Sequence, residues 1–197
     1  MLEDVRDQSD EALVAQVRQS RDVDTRAFEQ LVRRHQRRVL ANCRYMTNAH
    51  HDAEDLAQEV FVKAYFALEG FEGRSQFKTW LQRLKINHCL NYLRRRQGVT
   101  EVPLADDDDG DGAPVGSQPP TITRELELRD DRARIAATLE SMGDTLRVPL
   151  VLRDVDGLSY DEIAERLGIG LSAVKMRIKR GREEFRRVFA TLGSVGA

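Results

Sequence analysis

A mixed group of potential metal ligands lies at residues 50–55, where two histidines are followed by three carboxylates. Imidazole nitrogens and carboxylate oxygens are the usual ligands of catalytic zinc. However, successive residues on an α-helix point about 100° apart, and no second cluster of histidine and carboxylate in the chain completes a coordination shell. We therefore predict no metal, no cofactor and no catalytic residue, while a metal-dependent enzyme built on this group remains one alternative.

The helix predicted over residues 52–68 has two different faces. Leu56, Val60 and Ala64 lie on a broad apolar face that is typical of core packing. Carboxylates repel DNA phosphates, but beside exposed apolar groups they suit a protein interface whose charges select a basic partner. The opposite side is therefore interpreted as a partner surface, with a solvated acidic helix start as the alternative. Its residues are Asp55, Gln58, Glu59, Val62 and Phe66.

Aromatic and basic residues alternate between Phe71 and Asn87. Single-stranded nucleic acid requires stacking surfaces beside charges that neutralise its backbone, and an amide such as that of Asn87 can read the edge of an unstacked base. The same aromatics at helical spacing can instead be core residues; we prefer that interpretation for Leu81 and Leu84 and leave it open for Trp80. The predicted site for melted DNA contains Phe71, Arg74, Phe77, Lys78, Trp80, Arg83 and Asn87.

Residues 158–187 have the pattern of a helix-turn-helix. Ser159 and Glu162 fit a capping box, two glycines bracket a tight turn, and Ser172 is the expected cap of the second helix. At about 100° per residue, the core stripe of that helix contains Val174, Ile178, Gly181 and Phe185.

Away from its core stripe the second helix is strongly basic, with seven basic and two acidic residues over positions 171–187. The second helix of a helix-turn-helix lies in the major groove of DNA. We therefore predict binding to duplex DNA, with Lys175 and Arg180 within reach of base edges or phosphates. A solvated basic face is the alternative.

The formal net charge of −2 conceals two basic blocks. The charge is −3 over residues 1–20, +6 over 21–96, −8 over 97–131 and +3 over 132–197. Because the acidity is concentrated in one segment, a net charge near zero does not argue against nucleic-acid binding.

The segment 97–123 is interpreted as a flexible linker. It holds four of the five prolines and the run Asp106 to Asp109, and it has few large apolar residues, so burial cannot offset the entropy of ordering it. An all-α fold is predicted, with two small helical domains, 1–96 and 124–197, the second one a helix-turn-helix. Helices are expected near 10–19, 24–47, 52–68, 77–96, 124–141, 145–153, 159–168 and 172–190.

Five further expectations concern individual residues and the location of the protein. Ser9 is the expected cap of the first helix, His35 is expected to be a satisfied core or boundary group, and Pro149 is expected near the first turn of its helix. Cys43 and Cys89 are expected to be reduced, buried thiols, with a redox or metal role as the lesser alternative. No apolar stretch approaches the roughly 20 residues that span a bilayer, and the acidic start lacks signal-peptide regions, so a cytoplasmic location is expected.

Taken together, four segments resemble, in order, the extracytoplasmic-function group of the bacterial sigma-70 family. They read AFEQLVRRHQRRV, DAEDLAQEVFVKAY, FEGRSQFKTWLQRLKINHCLNYLRRR and LRDVDGLSYDEIAERLGIGLSAVKMRIKRGREEF. The resemblance covers nearly the whole chain. It implies a non-enzymatic transcription initiation factor that binds core RNA polymerase, recognises minus-ten and minus-thirty-five promoter elements and promotes DNA melting. It also implies a cognate anti-sigma factor. A helix-turn-helix regulator that acts without polymerase is the competing interpretation.

The resemblance also assigns roles to individual positions. The acidic surface, with Asp55, Gln58, Glu59 and Val62, would contact the clamp helices of the largest polymerase subunit. The loop from Phe71 to Phe77 would capture a flipped base of the minus-ten element, in a pocket lined by Asn87. Residues that would read the minus-thirty-five duplex are Ser172, Lys175, Met176, Lys179 and Arg180. Family members more often carry serine where Met176 stands and alanine where Gly181 stands.

Overall fold

The computed structural model describes residues 7–20, 25–48, 52–98 and 122–193. It forms two compact units, Met1–Cys43 with Ala49–Gly112 and Arg44–Asn48 with Ala113–Ala197. The described residues contain helices and no strand, which confirms the all-α prediction with two helical units. Most of the predicted linker lies outside the described residues. None of the described helices is long and apolar enough to cross a membrane.

The first unit contains four α-helices at the predicted positions. They are α1 (Asp10–Ser20), α2 (Arg26–Thr47), α3 (Asp52–Ala67) and α4 (Phe77–Arg96), with a 3₁₀ turn at Leu68–Gly70 between α3 and α4. The last four residues of α2, from Arg44 on, belong to the second unit.

Local contacts and core packing explain where these helices begin and what they bury. The Ala12 N–H donates to Ser9 Oγ at 3.1 Å, so the predicted cap of α1 is confirmed. Cys43 and Cys89 are buried and are not joined by a disulfide, as predicted, with their Sγ atoms 3.7 Å apart. The core of this unit includes Leu13, Leu31, Leu56, Val60, Phe61, Phe77 and Leu81.

The second unit contains α5 (Ile122–Ser141), α6 (Asp144–Asp154), α7 (Tyr160–Leu167) and α8 (Leu171–Gly193). The capping box at the start of α7 is confirmed. The Glu162 N–H donates to Ser159 Oγ at 3.2 Å, and the Ser159 N–H donates to Glu162 Oε2 at 2.6 Å. Gly168 ends α7 with φ of 64°, a left-handed conformation that glycine adopts at low cost. Together α7, this turn and α8 form the predicted helix-turn-helix.

Two expectations about helix ends are wrong. Ser172 does not cap α8, because the helix already begins at Leu171 and the Val174 N–H donates to the Gly170 carbonyl at 3.1 Å. Pro149 lies at the sixth residue of α6 rather than in its first turn. A proline there removes the N–H that would meet the carbonyl four residues earlier. Pro149 is buried, so tertiary packing holds the helix despite that missing hydrogen bond.

Gly181 lies where α8 passes close to α6. A Cβ atom at this position would lie 3.1 Å from the Leu146 carbonyl oxygen and 3.5 Å from Leu150 Cβ. The first distance is tighter than ordinary van der Waals contact, so an alanine would push the two helices apart slightly. The glycine therefore lowers the helix propensity of α8 slightly but allows a closer contact between α6 and α8.

A polar network joins α1 to α2. Asp10 Oδ1 accepts from Arg34 Nη1 at 2.9 Å, and Asp10 Oδ2 lies 2.6 Å from His35 Nε2. The hydrogen bond with His35 lowers the pKa of Asp10 most, burial opposes that shift, and Arg34 lowers the pKa further. His35 also packs edge-to-face on Phe77, with ring centroids 5.5 Å apart. It is therefore a satisfied boundary group, as predicted.

We expect Asp10→Asn to lower the free energy of unfolding of the first unit by about 1–2 kcal/mol at neutral pH, because a charged acceptor is lost. Since the folded-state pKa of Asp10 is lowered, its stabilisation is present above the ordinary aspartate pKa of about 3.9 and is lost as pH falls below it. The difference between wild type and variant should therefore shrink below about pH 4.

The measurement is denaturant unfolding followed by the fluorescence of Trp80, the single tryptophan of the chain. Trp80 contacts Phe77 and so reports on the unit that contains the network. Asp131→Asn removes an exposed pair with Arg134 in the second unit and should leave this transition unchanged. A difference between wild type and Asp10→Asn that persists at low pH would contradict the role of the carboxylate.

Candidate functional site

The outer face of α3 brings the predicted partner-binding residues together. Asp55, Gln58 and Glu59 are exposed, while Val62 and Phe66 are 56% and 66% exposed. They share one side of the helix because Ala53, Leu56, Ala57, Val60, Phe61 and Ala64 bury the other side. Exposed large apolar side chains between carboxylates make this an interface-like surface. We call these five exposed residues the α3 ridge.

One member of the α3 ridge is tied to a buried histidine of α4. Glu59 Oε2 lies 2.8 Å from His88 Nε2, and the His88 side chain is 2% exposed. The contact is short, but Nε2 makes no well-aligned hydrogen bond with any described residue, and the negative charge of Glu59 is its larger effect on the imidazole. His88 Nδ1 lies 3.0 Å from Lys63 Nζ. This contact could not be predicted from the sequence, because a histidine 29 positions from Glu59 has no helical spacing relation to it.

The protonation state of His88 follows from these neighbours. Burial lowers its pKa most and the positive charge of Lys63 lowers it further, while Glu59 raises it. A lysine ammonium can only donate, so Nδ1 must accept. The neutral imidazole therefore carries its proton on Nε2, next to the Glu59 carboxylate.

The aromatic residues near the start of α4 form one cluster. Phe71 is 6% exposed and Phe77 is fully buried, whereas Trp80 is half-buried. The Trp80 ring centroid lies 5.2 Å from that of Phe71 and 5.8 Å from that of Phe77. In this conformation the two phenylalanines support the tryptophan, and Trp80 is the ring with accessible surface. Leu81 is a core residue, as predicted.

The remaining predicted residues near α4 divide between two sides. At about 100° per residue, Trp80, Arg83 and Asn87 share one face of α4, and Lys78 lies on the opposite side. Arg74 lies in the loop before the helix and forms an ion pair with Glu72. The first turn of α4 has no acidic residue and Gln76 makes no side-chain cap, so the positive end of the helix dipole is not neutralised there.

The exposed face of α8 brings together the residues predicted to read duplex DNA. The buried stripe of Val174, Ile178 and Gly181 directs the other side of the helix outward. The exposed residues there are Ser172, Lys175, Met176, Lys179 and Arg180. None of their side chains forms an ion pair with another described residue.

Arg182 is a basic residue of α8 that serves the fold. It forms a two-pronged ion pair with Asp154 at the end of α6, at 2.9 Å and 2.5 Å. This hydrogen-bonded carboxylate raises the pKa of the Arg182 guanidinium. Arg182 is one of the seven basic residues counted over positions 171–187, and its pairing with Asp154 could not be predicted from helical spacing because the partner lies 28 positions away.

His50 and His51 of the potential metal cluster lie outside the described residues. Within the described ranges, no group of three or more histidine, cysteine or carboxylate side chains could hold a metal ion. Asp52 accepts a hydrogen bond from the Tyr92 hydroxyl at 2.5 Å, and Glu54 and Asp55 face solvent.

Comparisons with known proteins agree with the order of these elements. The model of Sigma-70 region 2 matches residues 31–99, and that of Sigma-70, region 4 matches residues 132–185. The ECF RNA polymerase sigma-E factor of Escherichia coli (strain K12) is 37% identical over 182 residues, which cover 89% of this chain and 91% of that protein. The RNA polymerase sigma-H factor of Pseudomonas aeruginosa is 36% identical with the same coverage.

Two solved structures are similar over most of the chain. CnrH in complex with the cytosolic domain of CnrY has a TM-score of 0.51 and 26% identity, and the match covers 96% of this chain and 100% of CnrH. The sigma factor RpoE of Bartonella quintana, in complex with the anti-sigma factor NepR, has a TM-score of 0.50 and 22% identity, with 83% of this chain and 96% of that one covered. The chain therefore belongs to the sigma-70 family of RNA polymerase sigma factors, in its extracytoplasmic-function (ECF) group.

Proposed function

We propose that this ECF sigma factor binds core RNA polymerase, directs it to promoters through minus-ten and minus-thirty-five elements, and promotes DNA melting. The supporting observation is that the exposed acids of α3 are grouped with apolar residues, whereas the exposed face of α8 is cationic. A regulator that acts only on DNA would have no use for the first surface. The chain is not an enzyme; the polymerase performs the chemistry.

The α3 ridge is the proposed contact with the clamp helices of the largest polymerase subunit. Val62 and Phe66 expose apolar area that supplies affinity, while Asp55 and Glu59 select a basic partner and fix its register. Carboxylates next to phosphates would be repelled, so DNA is a poor ligand for this surface. Family membership supports the assignment because the chain matches the Sigma-70 region 2 model across all of α3.

The aromatic cluster before and within α4 is the proposed site for the melted minus-ten strand. Trp80 offers a stacking surface supported from behind by two buried phenylalanines, and each stacked base contributes about 1–3 kcal/mol. Arg83 and Asn87 share the face of Trp80 and can contact the backbone or edge of the same nucleotide. Captured bases in this site would offset the cost of unpairing the duplex.

The exposed face of α8 is the proposed reader of the minus-thirty-five duplex. Lys175, Lys179 and Arg180 supply charge for phosphates and donors for base edges. Met176 is 53% exposed and cannot donate a hydrogen bond, so at this position we expect apolar contact, for example with a thymine methyl group.

An anti-sigma factor is a further proposed partner. The two solved structures named above are complexes, one with the cytosolic domain of CnrY and one with the anti-sigma factor NepR. In the second unit a groove of about 560 Å³ lies between α5, α6 and α8. Its size and apolar walls suit the apolar face of a partner helix. The apolar part of the wall contains Ile135, Leu139, Leu150, Val151, Val155 and Phe185, and Asp154, Arg182 and Arg186 form its charged part.

We expect Asp55→Lys to weaken binding to core polymerase by about tenfold or more, because it places like charges in contact. The neighbouring variant Glu54→Lys is a matched control: it has the same charge change in the same helical turn, but its side chain points about 100° away. Binding is measured by titrating labelled full-length protein with core polymerase. Equal affinities of the two variants would contradict the proposed role of the α3 ridge.

Arg180→Ala should lower the affinity of the holoenzyme for minus-thirty-five duplex DNA by about 1–3 kcal/mol and leave binding of the melted minus-ten strand unchanged. Arg187→Ala, which removes the same charge two turns further along α8, should change neither. The measurement compares a duplex probe with a single-stranded probe from a promoter mapped by in vitro transcription. If Arg180→Ala weakens both probes equally, the division of labour between the two units is wrong.

Glu59 should also affect the pKa of His88, because its negative charge raises the pKa of that imidazole. Glu59→Gln should therefore lower the pKa of His88 further, whereas Lys63→Met should raise it. The measurement is an NMR titration of the imidazole nitrogens, which also reports whether Nε2 carries the proton. Asp55→Asn is the control, and a His88 pKa that responds equally to Asp55→Asn and Glu59→Gln would contradict a specific contact.

A further inference from the structure

The outer face of α2 carries arginines that none of the surfaces above uses. No acidic residue occurs in the sequence between Glu29 and Asp52. Arg33, Arg37 and Arg38 are exposed, and none of the three forms an ion pair with another described residue. Their neighbour Arg34 differs, because it is bound by Asp10. Three exposed guanidinium groups on one helix repel each other unless an anionic partner covers them.

A small recess connects these arginines with α4. Arg38 of α2 and Lys78 of α4 both line it, together with His35, Val39, Asn42, Leu81, Gln82 and Lys85. The recess holds about 30 Å³, the volume of one water molecule, so it is too small for an organic ligand. The recess places Lys78 close to Arg38, and Arg37 and Arg33 precede Arg38 along α2. We call Arg33, Arg37, Arg38 and Lys78 the α2 strip.

The chemistry of the α2 strip fits an extended polyanion. Arginine presents a planar set of donors that matches the oxygens of phosphate. Asp10, which contacts α2, is already occupied by Arg34 and His35, and Glu29, one turn before Arg33, accepts a hydrogen bond from the Thr25 hydroxyl at 2.9 Å. These carboxylates therefore lie at the N-terminal end of the strip, where Glu29 weakens the contribution of Arg33 more than those of Arg37 and Arg38. An open row of arginines without a deep pocket cannot recognise individual bases. It would therefore increase the affinity for the strand and guide the course of its backbone, but it would not add sequence specificity.

Position favours a single DNA strand over other polyanions. Lys78 is in the first turn of α4, on the side opposite Trp80, so a strand that crosses the start of α4 meets both sides of the helix. The backbone of one strand is flexible enough to turn around a helix end, whereas a duplex with a persistence length of about 150 base pairs is not.

We propose that the α2 strip is a second track for the phosphodiester backbone of the melted promoter strand. It neutralises phosphates next to those nucleotides whose bases stack in the Trp80 cluster. The inference rests on the proposed promoter-melting function and adds a surface to it.

The test uses full-length protein bound to core polymerase and a mapped promoter. Each phosphate contact to single-stranded DNA contributes about 0.7 to the slope of log affinity against log salt. Arg37→Gln/Arg38→Gln should therefore reduce the slope by about 1.4 on a fork probe with a single-stranded overhang. Over a fourfold rise in salt, the wild type should lose about sevenfold more affinity than this variant.

Three comparisons isolate the charge of the α2 strip. Arg37→Lys/Arg38→Lys keeps both charges and should retain most of the wild-type slope, which separates lost phosphate contacts from a damaged fold. Arg132→Gln/Arg187→Gln removes the same charge from exposed positions of the second unit and should leave the slope unchanged. A probe of the same promoter without the overhang should show no difference between the Arg37→Gln/Arg38→Gln variant and the wild type.

The outcomes separate this proposal from the promoter function itself. If the wild-type chain does not assemble with core polymerase, the proposed function fails. If it assembles but Arg37→Gln/Arg38→Gln keeps the wild-type slope, only the α2 strip proposal is overturned. If Arg37→Gln/Arg38→Gln reduces the salt slope equally on the probe without the overhang, the α2 strip proposal is also overturned, because the partner would then be duplex DNA. Loss of core polymerase affinity with an unchanged DNA slope would overturn it in favour of an acidic polymerase surface.

Discussion

The separation of carboxylates from cations is the physical constraint on which the rest of this structure depends. A carboxylate near a phosphate cancels part of what a neighbouring arginine or lysine contributes, so a chain with two kinds of partner must not mix them on one surface. Hydrophobic burial achieves the separation. The six buried residues of α3 leave its acids facing outward together, and the buried stripe of α8 does the same for its lysines. The positions of the buried residues therefore determine which charged side chains lie on the same surface.

The N-terminal part of α4 shows how one helix can serve two surfaces. Phe77 is fully buried, and its ring meets His35 on one side and Trp80 on the other. The Asp10 network that positions His35 therefore also fixes the support on which Trp80 rests. A change in α1 would reach the aromatic cluster through two ring contacts, without any change in a residue that touches DNA. The stability of this unit and the shape of its candidate DNA site consequently share the same contacts.

Most of the fold was predictable because hydrophobic spacing and caps are local signals. The ends of α4 and the capping box of α7 agree with the sequence, since three or four neighbouring residues determine each of them. The predictions for the cap of α8 and the position of Pro149 were wrong. The helix α8 begins one residue before the expected cap, and the burial of Pro149 offsets its poor local preference for a helix interior. The burial of Phe71 and Phe77 was equally hidden, since an aromatic between basic residues looks the same whether it stacks on a base or on another ring. Contacts such as that of Glu59 with His88 join positions on different helices, so they produce no periodic pattern in the sequence.

Ion pairing sorts the basic residues of this protein in a way that composition cannot. Arg34 and Arg182 are each held by a carboxylate of another helix, and each stabilises the packing of its own unit. By contrast, Arg37, Lys175 and Arg180 are exposed and form no ion pair with a described residue. A cation that is already paired gains little from a phosphate, because it must first lose its partner, whereas an unpaired cation loses only water and counterions. The affinity of each unit for nucleic acid therefore depends on its unpaired cations, and these occur in the first unit as well as in the helix-turn-helix.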